Sequence, residues 1–229
     1  MRALVRRLRR DESGFTLPEL IVAIPIGIII LLATFFTLDS SIVLTGKVTQ
    51  RVDRTQRSRV AMEDITRKLR SQVCPAVGQP ALISADDYSV RFYSFLGTRP
   101  FVPDIREIAW DTNTNTIVER KWAGSGTAPN TTWAPTPTTR TVLSDVKPTF
   151  ASGSSGPRGP VFRYYLGNSQ TPLTTPLSAA NLAATSRIGL SFMTYAQSGN
   201  FSGPAATLQN DVFVRTADPN AASTTPDCA

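Results

Sequence analysis

The hydrophobic pattern of this chain changes period along its length. From Leu20 to Leu38 runs a stretch of 19 residues without a charged side chain. At about 1.5 Å per residue it spans roughly 28 Å as a helix, enough to cross a bilayer core. From Ser41 onward the helical period continues without membrane hydrophobicity. Val48, Val52, Thr55, Met62, Ile65, Leu69 and Val73 are spaced for one helical face, interrupted near Arg59, and the other faces are charged. Cys74-Pro75 is the expected stop, because a residue before proline is pushed out of the α region. One helix is therefore predicted from Phe15 to Val73.

Beyond Cys74 the period shortens to that of strands. Tyr88 to Phe95 alternates, and Ile105–Trp110 with Thr116–Trp122 forms a predicted hairpin around a turn at 111–115. Val161–Leu166, Ile188–Tyr195 and Asp211–Arg215 supply further strands, and Leu177–Thr185 is the one later stretch with a helical period. Two segments rich in Thr, Pro, Gly and Ser, 124–140 and 151–160, are too polar to bury much surface and are expected to be mobile loops. The tail from Ala217 reads the same way unless Cys228 fastens it. The expected class is α+β: a long N-terminal helix packed on an antiparallel β-sheet. The expected parts are a leader (1–14), a transmembrane half of the helix (15–40), an amphipathic half (41–74) and a β-rich domain (75–229).

The start of the helix carries the most specific motif. A leader with Arg2, Arg6, Arg7, Arg9 and Arg10 precedes Ser13-Gly14-Phe15-Thr16-Leu17-Pro18-Glu19-Leu20, and the apolar run follows directly. This order resembles the type IV prepilin signal shared by pilins and pseudopilins, over residues 13 to 38. The late Asp211-Val-Phe-Val-Arg215 strand and the Arg67-Lys-Leu-Arg70 stretch are similar to the larger minor pilins and pseudopilins of the J or PilW-like kind. The resemblance implies cleavage by a prepilin peptidase between Gly14 and Phe15, N-methylation of Phe15, and retention of the apolar segment. An ordinary secretory signal is instead cut after its apolar region, at an A-x-A-like site. None closes this run.

Glu19 stands at the edge of the membrane run, where a carboxylate well inside a bilayer would cost about 2.5–3.5 kcal/mol. Cleavage before Phe15 would create an α-amine, cationic near neutral pH. Phe15 and Glu19, four residues apart, share a helix face and can neutralise each other. The resemblance implies that Glu19 instead meets the amine of a neighbouring subunit and sets axial register during assembly. Pro18 lies in the first turn, where a missing N–H costs little. Pro25 removes the hydrogen bond to the carbonyl of Ile21 and is expected to kink the helix.

Charge adds topology. Of the net +7, the leader's five arginines against Asp11 and Glu12 account for three, leaving four for the remainder. Arginines flanking a first membrane helix hold that flank in the cytoplasm, so the expectation is a single-pass protein with its C-terminal domain outside. There an even cysteine pair favours a disulfide, Cys74–Cys228. Its loop of about 155 residues would be worth roughly 5 kcal/mol in a simple loop-entropy treatment.

Histidine is absent, which excludes Ser-His-Asp and Cys-His nucleophile systems and imidazole metal sites. No cofactor or metal is expected, and the chain is not expected to be an enzyme. Asp86-Asp87 reads as surface turn acids ahead of a strand, with a cation site as the lesser reading. Trp110, Trp122 and Trp133 read as core or edge residues, with stacking on bases or sugars as the alternative. Eight basic side chains lie between Lys47 and Arg70. They read first as a solvated or inter-subunit face, then as a contact for nucleic acid or anionic lipid.

The functional expectation is a structural subunit, a minor pilin or pseudopilin of a type IV pilus or type II secretion-like filament. Its partners would be the membrane, the prepilin peptidase, other pilin subunits and, indirectly, an assembly platform and ATPase. The alternative is a pilus-displayed adhesin or DNA-uptake receptor.

Overall fold

The computed structural model describes residues 16–97, 101–127, 130–149, 159–197, 200–214 and 228. Gly14, Phe15, most of the 151–160 segment and the tail apart from Cys228 lie outside the described residues. The chain divides into two compact units, Met1–Thr49 and Gln50–Ala229.

Helix α1 (Leu17–Arg70) is unbroken for 54 residues and carries Pro25 inside it. It is long and apolar enough to cross a membrane, with mean hydropathy 2.7 in its apolar window and none of that window buried. The hydroxyls of Thr34, Thr37, Thr45 and Thr49 return to the helix's own carbonyls. Thr34 Oγ1 donates to Ile30 O at 2.8 Å, and Thr45 Oγ1 to Ser41 O at 2.8 Å. Such back-bonding satisfies a polar side chain without a partner outside the helix.

In the second unit the helix packs on antiparallel strands. The first sheet runs in the order β1 (Leu82–Ala85), β2 (Ser89–Ser94), β3 (Asp104–Asp111), β4 (Thr116–Trp122), β7 (Thr138–Leu143). Between β4 and β7 lies a separate hairpin, β5 (Gly124–Thr127) and β6 (Asn130–Trp133). The second sheet centres on β10 (Thr185–Gln197). Strand β11 (Asn200–Phe213) pairs on one side, and β8 (Val146–Pro148) and β9 (Phe162–Leu166) pair with successive stretches of the other. A short helix, α2 (Ala179–Ala184), is N-capped by Ser178 and precedes β10.

Period-two alternation decides which side chains meet the helix. Val90, Phe92 and Ser94 of β2 are buried while Ser89, Arg91 and Tyr93 are half-buried. Register carries the same face through Ile108 and Trp110 of β3 to Ile117 of β4. These residues form one core with Met62, Ile65 and Leu69 of α1 and with Phe162, Tyr164, Ile188, Leu190, Phe192 and Val212 of the second sheet. Full burial of such side chains stabilises by about 1.5–3 kcal/mol each. Tyr164 closes the core base, its hydroxyl lying 3.0 Å from Asp86 O and 3.1 Å from Ser89 O. Burial pushes that hydroxyl well above its ordinary pKa, so it remains a donor.

The α+β class and the helix-on-sheet packing are those expected from the alternation. Several details differ. The buried face of α1 begins at Ser58, and Val48 and Val52 remain 55% and 50% exposed. The helix ends at Arg70, four residues before Cys74, because Ser71–Val73 is captured by strand β2. Phe95 N donates to Ser71 O at 3.0 Å and Val73 N to Tyr93 O at 3.1 Å. Helical assignment also continues through Pro25, whose missing N–H does not end the helix.

Most of the expected loop at 124–140 is ordered. It holds β5, β6 and the start of β7, and it is fixed by Trp133, whose Nε1 donates to Pro103 O at 2.9 Å. Trp133 also packs on Tyr93, with ring centroids 5.4 Å apart. Gly124 lies so close to the chain that a Cβ there would stand 2.3 Å from Pro103 O. Glycine is what allows that approach. Polar composition misled the expectation because the segment is anchored by one aromatic ring and one backbone contact rather than by an apolar face.

Candidate functional site

The start of α1 places Thr16 immediately before the helix and Glu19 in its first turn. The Glu19 carboxylate reaches back to the backbone N–H of Thr16 at 3.5 Å and accepts from the Thr16 hydroxyl at 3.4 Å. Thr-x-x-Glu is the capping-box spacing, in which the acid satisfies an otherwise orphan donor at the helix start. A carboxylate there also complements the positive end of the helix dipole. Pro18, lacking an N–H, fits the same turn at no hydrogen-bond cost. Glu19 is the only charged residue from Thr16 to Leu38. It is exposed, and its acceptor face points to the helix terminus. This capping role was legible as Thr16-x-x-Glu19 but hidden behind the membrane reading.

A second, larger constellation lies where α1 meets the first sheet. Lys68 Nζ donates to Asp64 Oδ2 at 2.8 Å and to Glu119 Oε2 at 2.5 Å. Arg106 Nη1 reaches Glu119 Oε1 at 2.5 Å, and Arg140 Nη2 bridges Asp64 at 2.7 Å and Glu119 at 3.0 Å. Lys68 and Glu119 are each only 6% exposed at the side chain. The two carboxylates thus join the helix, β3, β4 and β7. Burial pushes the Asp64 carboxyl up, but hydrogen bonds from Lys68, Arg140 and Arg67 outweigh it and hold the group at about 2. Burial likewise opposes ionisation of Glu119, and hydrogen bonds from Lys68, Arg106 and Arg140 again prevail, lowering its pKa. Arg140 is correspondingly raised, chiefly by its hydrogen bond to Asp64.

These residues were not singled out from sequence. Asp64 and Lys68 stand four apart on the helix, and Glu119 follows Ile117 by two on β4, so alternation turns it inward. Those two spacings were the available signal. Farther along the same flank, Arg54 Nη1 reaches Asp145 Oδ2 at 2.6 Å and ties the helix to the turn after β7.

The structure joins Cys74 to Cys228, with Cα atoms 5.6 Å apart, and Gly78 N donates to Cys228 O at 2.9 Å. Asp86 accepts from Ser89 Oγ at 3.3 Å within its own turn, and Asp87 accepts from the Thr175 hydroxyl and ties that turn to the segment before α2. Trp110 is buried, with Nε1 donating to Val146 O at 2.9 Å, and the Arg91 guanidinium lies 4.4 Å from the Trp122 ring centre. Of the basic side chains on the helix, Arg54, Arg57, Arg67 and Lys68 hold carboxylates. Arg51, Arg59 and Arg70 have no carboxylate partner among the described residues. No protein-family model matches the chain, and no curated protein is found to be similar to it.

Proposed function

We propose that this chain is a structural filament subunit of the type IV pilin kind, a minor pilin or pseudopilin. In this reading a prepilin peptidase removes the leader between Gly14 and Phe15, Phe15 is N-methylated, and the apolar half of α1 remains as a single membrane span. The leader arginines hold the N-terminal flank in the cytoplasm and the β-rich domain faces outward. The chain works by packing and display, not by catalysis.

The observation that carries the reading is Glu19, a lone carboxylate in the first turn of a helix whose apolar stretch to Leu38 is otherwise uncharged, one turn beyond Phe15. Its capping geometry supports an acceptor poised at the helix terminus, where a new α-amine of the same or an adjacent subunit would sit. Intact mass of the protein extracted from membranes tests the processing step. A terminus at Phe15, about 14 Da heavier when methylated, is expected, and a retained leader overturns the proposal.

Two substitutions separate charge from capping. Glu19→Gln keeps an acceptor for Thr16 N–H but removes the charge, whereas Glu19→Ala removes both. If the carboxylate neutralises a neighbouring amine, both variants lose crosslinks to other subunits. Normal crosslinking by the glutamine variant would reduce Glu19 to a cap.

A nucleic-acid receptor is the second reading, favoured by Arg51, Arg59 and Arg70, which are exposed and have no carboxylate partner among the described residues. It requires duplex DNA to bind the full chain with a steep salt dependence.

A further inference from the structure

Independently of the filament reading, we infer that the outer edge of β7 is a docking site for an extended, acidic strand from a partner protein. Strand β7 is the last strand of the first sheet, paired with β4 on one side only. Among the described residues its other edge carries no backbone hydrogen bond. Proteins usually protect such an edge with lysine, proline or a covering element. The strand Thr138-Thr-Arg-Thr-Val-Leu143 has neither Lys nor Pro, and its one charge, Arg140, is already held by Asp64 and Glu119. Three of its six residues are threonines, and with Val142 they suit a pleated edge.

The opposite edge of the same sheet is treated differently. There Ala85 of β1 accepts from Leu177 N at 3.0 Å, so the approach to α2 covers it. Strand β7 instead borders an open groove of about 1270 Å³ that runs along the flank of α1. Val60 on the helix and Val142 and Leu143 on the strand give the groove apolar walls. Its charged lining comprises five arginines, at 54, 57, 67, 70 and 140, against Asp53, Glu63 and Asp64. Arg70 has no carboxylate partner among the described residues and supplies free positive charge at one end.

Together these features specify the occupant. Backbone pairing with β7 requires an extended segment, and alternate side chains of that segment would fall into the groove. Apolar walls accept small branched side chains; Arg54, Arg57, Arg67 and Arg140 already hold carboxylates, so Arg70 and the net positive charge of the lining attract an acidic segment. A helix or a duplex would meet the arginines but leave the strand's N–H and C=O groups unpaired.

The test uses the full chain in detergent micelles and a short labelled peptide alternating valine and glutamate. Binding is expected, together with slowed amide exchange across Thr138–Leu143. The same peptide with lysine for glutamate should not bind. Nor should a version N-methylated on every backbone nitrogen, because neither of its edges can then donate to β7. Reversing Arg57→Glu and Arg70→Glu together, both exposed, should weaken the acidic peptide by about tenfold or more. Equal binding of the lysine or N-methylated peptide overturns the inference, as does binding without slowed exchange in β7. Duplex DNA binding where the acidic peptide fails would make this an anion surface rather than a strand-docking edge.

Discussion

Residues 17–49 and 50–70 belong to one unbroken helix, yet they follow opposite rules. The first stretch holds three charged side chains, Glu19, Asp39 and Lys47, and its apolar side chains are all exposed. The second holds ten charged side chains between Arg51 and Arg70, and it buries Ala61, Met62, Ile65 and Leu69. In the first, the backbone ladder and the back-bonded threonines bond within the helix, so the apolar side chains face outward. In the second, helix position is set from outside by a core on one face and a charge network on its flank. Identical backbone geometry therefore says little about where a helix belongs; the side chains decide it.

The sharpest way to break this comparison is to remove the network's shared anion. Glu119→Ala leaves Lys68 and Arg106 buried without one of their two main partners, and one-sided removal from a buried pair typically costs about 3–5 kcal/mol. Denaturant unfolding of the full chain, followed by tryptophan fluorescence, should show a loss in that range. A loss below about 1 kcal/mol would mean that Asp64 compensates Lys68 and Asp104 compensates Arg106.

Matched truncations on the two halves come next. Ile65→Ala should cost about 2–5 kcal/mol in the same experiment, because Ile65 is fully buried. Ile29→Ala, at a residue 65% exposed, should change the unfolding of the sheet-bearing unit by less than about 0.5 kcal/mol. Equal losses would erase the distinction.

Acid should distinguish the halves as well. Asp64 and Glu119 have folded pKa values below their ordinary ones, so the stability they contribute is present above the unfolded carboxylate range. It is lost as pH falls through the folded values, near 2 for Asp64. Tryptophan fluorescence should therefore report weakened helix–sheet packing between about pH 4 and pH 2, while helicity of the apolar stretch is retained. Weakening that begins above pH 5 would point to other groups. The smallest effect is at the helix start. Glu19→Ala should fray the first turn by about 0.5–1 kcal/mol, read as faster exchange of the amides at Leu20 and Ile21. Unchanged exchange would show that the long contact to Thr16 carries no weight.

The sequence made the architecture legible wherever one face was apolar. The β3–β4 hairpin, β9 and the centre of β10 were visible because Ile, Val, Phe and Tyr alternate there. Strands β5 to β8 were not, since Thr138–Leu143 is held mainly by pairing with β4 and by Arg140, with apolar packing confined to Val142 and Leu143 at its end. The buried network was equally silent: Asp64, Lys68 and Glu119 look like surface charges until the register of β4 turns Glu119 toward the helix. The apolar span and Glu19 were evident from local order alone, but the capping contact needed the position of Thr16 in space. Gly14 and Phe15, on which the proposed processing rests, lie outside the described residues and are read from sequence context only.

The Cys74–Cys228 bridge has a mechanical meaning beyond stability. A load applied between the helix and the C-terminus passes from Cys74 directly to Cys228, so the 154-residue separation between them forms a closed ring outside the line of force. Both sheets lie inside that ring. Within the helix the exposed stretch 17–49 can lengthen without disturbing the core, by unwinding to roughly 110 Å at about 3.4 Å per residue. Opening the bridge with a thiol reductant places the sheets in series with the load and adds about 500 Å of slack. The bridge therefore works as a strain limiter: the exposed stretch of the helix can yield while both sheets stay outside the line of force.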